Sequence, residues 1–248
     1  MRLAIVSDIH GNLPALEAVI EDIKTRAPDM VVNLGDCVSG PLWPREVCDL
    51  LMSLNWPTIR GNCDRAVGTT PREVLGASDA YAYDCLDSQH LEWLANLLKP
   101  HVIAKDVFAC HGTPAADDEY LIDKIAGDVL IAPRPEEVAK KLREVAEPII
   151  LCGHSHVPRI VQTSSSTTVV NPGSVGLPAY DNEFQGKKYY AESGSPHARY
   201  AILTGRNKKF TADLIAVDYE YEMAAQKAHR EHRQEYVRAL RQGTMRMS

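Results

Sequence analysis

The chain has 248 residues, of which 45% are hydrophobic and 24% are charged. This composition supports a large buried core and excludes a disordered chain, and the length suits one α/β domain spanning 1–248. The formal net charge of −6 at pH 7 disfavours a protein that grips nucleic acid through its phosphates.

The first half of the chain alternates short apolar strands with amphipathic helices. The predicted strands are 3–7, 30–34 and 58–60. The predicted helices are 13–23, 44–54 and 86–98. The helices follow from apolar residues at spacings of three and four, and the strands from short β-favouring runs that end in glycine or aspartate.

The second half is richer in strands. A hairpin is predicted at 102–104 and 107–110, followed by a helix at 135–146 and a buried strand at 149–152. Further strands are predicted at 160–162, 167–170, 199–204 and 210–217. The polar stretch 181–196 is interpreted as a long loop, and 221–240 as one charged helix that is solvated or forms a dimer contact. This order of elements, of the α/β or α+β class, favours two packed β-sheets with helices on their outer faces.

The chain carries no signal for membrane insertion or secretion. No stretch approaches the roughly 18 apolar residues that a membrane span needs. The apolar run at the N-terminus is too short for a signal peptide and is interrupted by Asp8. The six cysteines include no C-x-x-C pair and are interpreted as reduced residues, mostly in the core. We therefore expect a soluble, cytoplasmic protein with no membrane partner.

Polar side chains follow five of the predicted strands, at the point where each strand ends. They are Asp8, Asp36, Asn62, His111 and His154. Because ligands of sheet-based α/β proteins gather where strands end and loops begin, we expect these five loops to converge at one edge of the sheets. Glycine lies beside most of these residues, which allows tight turns and close approach of the backbone to an ion.

The residue types suit a pair of transition-metal ions. Carboxylate, amide and imidazole groups form the mixed N/O shells that Mn, Fe, Zn and Ni accept. Asp36 can bridge two ions with its two oxygens. His10 lies two positions after Asp8, and His156 two positions after His154, so a bend in each loop can direct both members of each pair inward. Each pattern alone also occurs in ordinary turns and helix caps, and it is their joint order that indicates a metal site.

Five short blocks in this order resemble the signature of the calcineurin-like metallophosphoesterase superfamily. The blocks are Asp8-x-His10, Gly35-Asp36, Gly61-Asn62-Cys63-Asp64, His111-Gly112 and Gly153-His154-x-His156. Two further segments, 171–176 and 198–200, resemble its small bacterial and archaeal phosphodiesterase branch, of the YfcE type. The resemblance implies the metallophosphatase fold, a four-layer α-β-β-α sandwich in which two facing mixed β-sheets are flanked by helices.

The resemblance also implies a role for each ligand. The first ion would be held by Asp8, His10 and His156. The second ion would be held by Asn62, His111 and His154, with Asp36 between the two. The implied cofactors are two divalent or trivalent transition-metal ions. Mn²⁺ is the ion expected first, and Fe, Zn or Ni are alternatives. Paired cations lower the pKa of a shared water, so the expected reaction is hydrolysis of a small phosphate ester by in-line attack of a bridging hydroxide.

The block 61–64 departs from the superfamily's usual Gly-Asn-His-Asp/Glu, because Cys63 stands at the position of the histidine. In the superfamily that histidine protonates the leaving oxygen or binds the phosphate, and the next acid, here Asp64, orients it. A thiol is a poor substitute for imidazole as a proton donor. We predict catalytic roles for Asn62, Cys63 and Asp64, and a preference for diesters and for leaving groups that need no protonation. The alternative for Cys63 is a small packed residue beside the site.

Other functions stay open at this point. The same superfamily includes phosphomonoesterases and protein phosphatases, and a retromer subunit with this fold serves as a non-catalytic protein-binding scaffold. The presence of all seven ligand residues favours an enzyme. The five remaining histidines match no block and are expected to be dispensable: His90, His101, His197, His229 and His232. A homodimer is a further expectation.

Overall fold

The computed structural model describes residues 1–206 and 209–246, and in them the strands form three sheets. The first sheet has the order β13 (Lys209–Val217), β12 (Ala198–Arg206), β1 (Arg2–Val6) and β2 (Met30–Asn33). The second has the order β3 (His101–Ala104), β4 (Val107–Ala109), β7 (Ile149–Leu151), β9 (Thr168–Asn171) and β8 (Arg159–Gln162). The third has the order β10 (Ala179–Phe184), β11 (Lys187–Glu192), β6 (Val129–Ile131) and β5 (Lys124–Ala126).

The helices surround the first two sheets. They are α1 (Leu13–Arg26), α2 (Pro44–Leu54), α3 (Asn62–Thr69), α4 (Ala77–Cys85), α5 (Ser88–Ala95), α6 (Pro135–Lys141), α7 (Tyr221–Arg230) and α8 (Gln234–Gln242). A short 3₁₀ turn covers Arg72–Val74. None of the helices in the described part of the chain combines the length and apolarity needed to cross a bilayer.

The side chains of single strands alternate between two separate cores, which defines the layers. Val6 of β1 lies in a cluster shared with α1, whereas its neighbour Ile5 lies in a second cluster with Ile149 of β7. Ile150 points to the opposite face of its sheet and packs with Val138 of α6. Because successive residues of a strand face opposite ways, this alternation places sheet against sheet and helices outside both. The predicted fold of two facing mixed sheets flanked by helices is confirmed.

Strand direction brings the predicted site loops together. β1 and β2 run parallel in the first sheet, and β4 and β7 run parallel in the second, so the loops that follow each pair leave from the same edge. Backbone hydrogen bonds join these loops in pairs. The amide of Asp8 donates to the carbonyl of Gly35 (2.9 Å), and the amide of Gly153 donates to the carbonyl of His111 (2.7 Å).

The third sheet was not predicted. Most of the stretch interpreted as a loop, 181–196, belongs to the antiparallel hairpin of β10 and β11, which are paired from Ala179 and Glu192 to Phe184 and Lys187. Both residues of its turn have positive φ, Gln185 at 52° and Gly186 at 73°, as tight hairpin turns require. Much of the hairpin is exposed on both faces, so its sequence lacks the alternation of apolar and polar residues that marks a half-buried strand.

The predicted C-terminal helix is two helices. The break between α7 and α8 includes His232, whose φ of 60° ends the first helix. Ala224 and Ala228 of α7 and Leu240 of α8 are fully buried in the same cluster as α1. These helices therefore pack one face on the core and expose the other, and a dimer contact through the exposed face stays a prediction.

Several shorter predictions also needed correction. Residues 58–60 form isolated bridges, Asn33 to Thr58 and Ile59 to Leu98, instead of a strand. The helices predicted at 86–98 and 135–146 are shorter, at Ser88–Ala95 and Pro135–Lys141. The helices α3 and α4 and the strands β5 and β6 have no predicted counterpart.

Candidate metal centre

Most of the predicted ligands have an unusual backbone conformation. In the described residues eleven non-glycine positions have positive φ, and five of them are predicted ligands. These five are Asp8 (55°), His10 (49°), Asp36 (56°), His154 (68°) and His156 (60°). Residues other than glycine rarely adopt a positive φ, because this backbone conformation is strained. Such strain persists where the surrounding structure imposes it, typically at functional sites. The sharp turns direct side chains from separate loops to one place.

The first triad consists of Asp8, His10 and His156, whose ligand atoms all lie within 4.8 Å of one another. The Nδ1 atoms of both histidines face carbonyl oxygens, His10 that of Ser39 (2.9 Å) and His156 that of Leu177 (2.7 Å). A carbonyl can only accept, so each Nδ1 carries the proton and each neutral ring has its lone pair on Nε2. The two Nε2 atoms are 3.0 Å apart, so two lone pairs point into the same space.

A cation fits this arrangement. Two nitrogen ligands at right angles on one ion, each about 2.1 Å from it, lie about 3.0 Å apart. Asp8 Oδ1 lies 3.3 Å from His156 Nε2, is buried and has no hydrogen-bond partner among the described residues. A buried carboxylate oxygen without a donor is costly unless a positive charge compensates it. Carboxylate, imidazole and imidazole together are a donor set suited to a transition metal.

The second triad consists of Asp36, His111 and His154, with ligand atoms again within 4.8 Å. His111 donates from Nδ1 to the carbonyl of Leu34 (2.8 Å), which leaves Nε2 directed at Asp36 Oδ2 (3.4 Å). The amide oxygen of Asn62 lies 3.2 Å from the same Nε2. The structure thus brings all seven predicted ligands together, in two groups.

One oxygen atom links the two groups. Asp36 Oδ2 is 3.4 Å from Nε2 of His111 in the second triad and 3.9 Å from Nε2 of His10 in the first. The other oxygen, Oδ1, accepts a hydrogen bond from the backbone amide of Cys63 (2.9 Å). Asp36 would therefore offer Oδ2 to ions held by both groups, and a bridge through both of its oxygens stays a prediction.

The electrostatics of the site are dominated by buried opposite charges. Burial lowers the pKa of His111, but the carboxylates of Asp36 and Asp8 outweigh burial and raise this pKa to about 10. Burial raises the pKa of Asp36, but the charge of His111 outweighs it and holds this pKa far below its usual range. Burial and the charge of His111 lower the pKa of His154 to about 4. In the metal-free protein a proton on His111 thus supplies the positive charge that the carboxylates demand.

Asp64 binds backbone amides around the site. Its buried carboxylate accepts hydrogen bonds from the amides of Asp36 (2.8 Å), Cys37 (2.8 Å) and Gly61 (2.9 Å). Burial and the charge of Asp36 raise its pKa to about 6. These contacts hold two ligand loops in register and are those of a positioning residue, while the predicted catalytic role stays a prediction.

Cys63 is half-buried at the start of α3, beside the second triad. Burial and the nearby charge of Asp36 raise the pKa of its thiol well above the usual value. The thiol therefore stays protonated at neutral pH. Because the thiolate is the nucleophilic form, this environment does not favour Cys63 as an attacking group.

Two residues that support the site were not assigned a role from the sequence. Asn171 donates from Nδ2 to the carbonyl of Gly153 (2.8 Å), and the hydroxyl of Ser174 donates to the carbonyl of Asp8 (2.6 Å). Both are buried and tie ligand loops to the end of β9. They lie in segment 171–176, so the motif indicated their importance but not their contacts.

Three tyrosines also went unnoticed in the sequence, and two of them pack on ligand histidines, Tyr120 on His154 and Tyr180 on His156. The hydroxyl of Tyr120 is 2.6 Å from that of Tyr180 and 2.8 Å from that of Tyr189. Tyr180 donates to the carbonyl of His154 (3.3 Å), and the ring of Tyr120 lies 5.0 Å from the His154 ring. Two of these tyrosines belong to the unpredicted hairpin, so no sequence signal connected them to the site.

Comparison with known proteins agrees with this geometry. The model of the calcineurin-like phosphoesterase superfamily domain matches residues 1–191. This chain belongs to the calcineurin-like phosphoesterase superfamily. The resemblance that the five blocks suggested is thereby confirmed, and the superfamily implies a dinuclear metal site for which the two triads are the candidate ligands.

Several relatives match nearly the full length of this superfamily member. An uncharacterised protein of Methanocaldococcus jannaschii is 27% identical over 251 residues, covering 91% of this chain and 90% of that protein. A metallophosphoesterase structure from Sphaerobacter thermophilus has a TM-score of 0.74 at 25% identity, covering 98% of this chain and 100% of that one. A hypothetical protein from Pyrococcus horikoshii OT3 has a TM-score of 0.77 at 21% identity, covering 98% of each chain. The two structures share the fold into the C-terminal region, beyond the family match.

Proposed function

We propose that this chain is a phosphodiesterase that hydrolyses small phosphate esters with a pair of transition-metal ions, Mn²⁺ in first place. The observation that carries the proposal is the position of Asp36 Oδ2, within 4 Å of a histidine nitrogen in each triad. One anionic oxygen between two sets of lone pairs suits two adjacent cations better than one. A small substrate and a cytoplasmic location are part of the same proposal.

Each residue of the centre has a role in this proposal. The first triad would hold one ion; the second triad, with the oxygen of Asn62, would hold the other. When bound, such a pair supplies Lewis acidity toward the phosphoryl group and a water of lowered pKa. The carbonyls that face His10, His111 and His156 fix the tautomer of each ring, so that every Nε2 is available to a ligand.

Position 63 bears on the leaving group of the ester. A neutral thiol with a raised pKa is a weak general acid, so Cys63 gives little help to an alkoxide leaving group. The anion of an acidic alcohol such as p-nitrophenol is a good leaving group and departs without protonation. Esters of simple alcohols, whose leaving groups need protonation, should therefore react slowly. A preference for diesters over monoesters is a separate part of the proposal.

The test is hydrolysis of bis-p-nitrophenyl phosphate by protein whose metal content is known. We expect turnover with Mn²⁺ or Ni²⁺, no turnover after chelation, and slower reaction with p-nitrophenyl phosphate. Asp36→Asn should reduce both metal content and turnover, because the linking oxygen loses its charge. Protein that holds two ions per chain and hydrolyses neither ester would point instead to the non-catalytic scaffold.

A further inference from the structure

A cavity of about 300 Å³ lies next to the candidate metal centre, between β10 and the C-terminal helix α8. Tyr180 lines it and packs edge-on against the ring of His156, with ring centroids 4.6 Å apart. Leu177 also lines it, and the carbonyl of Leu177 accepts the hydrogen bond from His156 Nδ1 (2.7 Å). The cavity and the first triad therefore share a wall.

A second part of the lining packs near a support of the first triad. Tyr236 of α8 lines the cavity and packs on Gly40, where an added Cβ would lie 3.3 Å from the tyrosine ring. Gly40 follows Ser39, whose carbonyl orients His10. The hydroxyl of Tyr236 lies 3.1 Å from that of Ser78 in α4. A group bound in the cavity would thus lie beside the supports of both histidines of the first triad.

Part of this cavity is specific to the C-terminal region. Arg233, Glu235 and Tyr236 all lie beyond residue 191, where the match to the superfamily domain ends. The metal ligands lie within the matched part. The cavity lining therefore combines residues of the matched segment, such as Tyr180, with residues that follow it.

Arg233 is the one cationic side chain among the described residues that line the cavity. It donates from Nη2 to the hydroxyl of Ser78 (2.8 Å) and from Nε to Glu235 (2.5 Å), and its guanidinium lies 5.0 Å from the centre of the Tyr236 ring. Among the described residues its Nη1 has no acceptor. The guanidinium is thus held in place by protein contacts while one donor nitrogen stays available to a bound group.

The charge of the lining limits what can bind. One arginine and two carboxylates line the cavity, and one of the carboxylates, Asp181, pairs with Lys188 outside it (2.5 Å). The cavity has no excess of positive charge, so a second phosphate group would not be favoured. Aromatic rings and a guanidinium instead suit an uncharged planar group with hydrogen-bonding atoms. The volume is at the lower end of the range for small-molecule pockets, roughly 300–1,000 Å³.

We propose that this cavity binds the organic group of a phosphate diester, an uncharged hydrogen-bonding group of nucleoside size or smaller, while the metal centre holds the phosphoryl group. This inference rests on the proposed phosphodiesterase function. Arg233 is then a specificity-determining residue. It contacts the ester group that stays on phosphorus after hydrolysis and not the leaving group.

The experiment compares two diesters with the same leaving group, thymidine 5′-(p-nitrophenyl phosphate) and methyl p-nitrophenyl phosphate. In the metal-loaded wild type, kcat/KM should be at least about tenfold higher for the thymidine ester, as expected for a pocket that contacts the attached group. Arg233→Ala should lower that ratio about tenfold, mainly through KM, because ground-state binding is lost. Arg241→Ala is the matched control, since Arg241 lies on α8, which Arg233 precedes, but pairs with Glu222 at the surface (2.6 Å), and it should preserve the ratio.

Two kinetic results would overturn the proposal: a wild-type ratio near one, or an equal loss for both esters in Arg233→Ala. If neither ester is hydrolysed, the proposed function is what fails, and calorimetric titration with thymidine then tests the cavity alone. Saturable binding that is weakened about tenfold by Arg233→Ala supports the cavity as a binding site. Absent binding, or equal binding to both proteins, rejects it.

Discussion

Replacement of Gly61 by alanine tests whether the placement of Asp36 organises the metal centre. A Cβ on Gly61 would lie 2.1 Å from Asp36 Oδ1 and 2.6 Å from the backbone nitrogen of Asp36. Because backbone is involved, the aspartate cannot simply rotate away. Restoring an ordinary contact of 3.4 Å requires a movement of about 1.3 Å. The φ of Gly61 is −83°, which alanine accepts, so the contact and not the backbone conformation is what this change perturbs.

The expected consequences are large for the metal site and modest for the fold. A misplacement of about 1 Å can cost about 100-fold in rate, and loss of a supporting contact typically lowers metal affinity about 10- to 100-fold. Overpacking of this kind costs about 1–3 kcal/mol of unfolding free energy. We therefore expect Gly61→Ala to fold, to bind Mn²⁺ at least tenfold more weakly, and to lose about two orders of magnitude in kcat.

Gly76→Ala is a close control. Gly76 precedes α4 as Gly61 precedes α3, its φ is −64°, and an added Cβ would meet nothing within 4 Å. Any loss from alanine at a helix N-cap is therefore common to both variants. Metal content at limiting Mn²⁺, hydrolysis of bis-p-nitrophenyl phosphate and thermal unfolding in chelator would be measured for both. If Gly61→Ala kept two ions with unchanged affinity and rate, the placement of Asp36 would not depend on this contact and the reasoning would be refuted.

Three further predictions concern protonation and residue roles. The metal-free protein should carry a proton on His111, whose pKa is about 10, so binding of an ion below that pH displaces it. The apparent affinity for the ion should then rise about tenfold per pH unit below that pH. Calorimetry in buffers of different ionisation enthalpy should show that a proton is released on binding. An affinity for the ion that does not depend on pH would contradict this prediction. Cys63→His should raise the rate for poor leaving groups more than for good ones, and a series of aryl esters that shows no change in leaving-group dependence would count against the role given to position 63. Each histidine outside the triads can be substituted in turn, and elemental analysis should still find two ions per chain. Loss of His90, whose Nε2 lies 2.8 Å from Asp49 Oδ1, should nevertheless lower the melting temperature. Loss of both ions in any of these variants would contradict the ligand assignment.

The ligands of the site could be predicted from the sequence because their signals are local. A buried strand leaves a short apolar run, and the polar residue that ends it marks the start of a loop, as at Asp8 and His154. Glycine beside such a residue signals a tight turn. These features depend on near neighbours in the chain, so the sequence alone predicts the five blocks and most of the strands that precede them.

The tertiary structure decided what depends on contacts between distant segments. The hairpin of β10 and β11 is stabilised by cross-strand pairing and carries no apolar alternation, so its sequence alone favours a loop. The charged appearance of 221–240 concealed a buried face that only the surrounding core makes apparent. In the same way, Asp64 became a backbone anchor and Arg233 a cavity residue only once their partners were known.

The division has a physical cause. Strand ends and turns arise from interactions over a few residues, and the sequence therefore determined which side chains are candidates for the centre. Whether they share an ion depends on ångström-scale distances between loops as far apart as Asp8 and His156, and these are set by the packing of two sheets. The packing of distant segments likewise decides the position of the linking oxygen, the proton predicted on His111 and the cavity at α8.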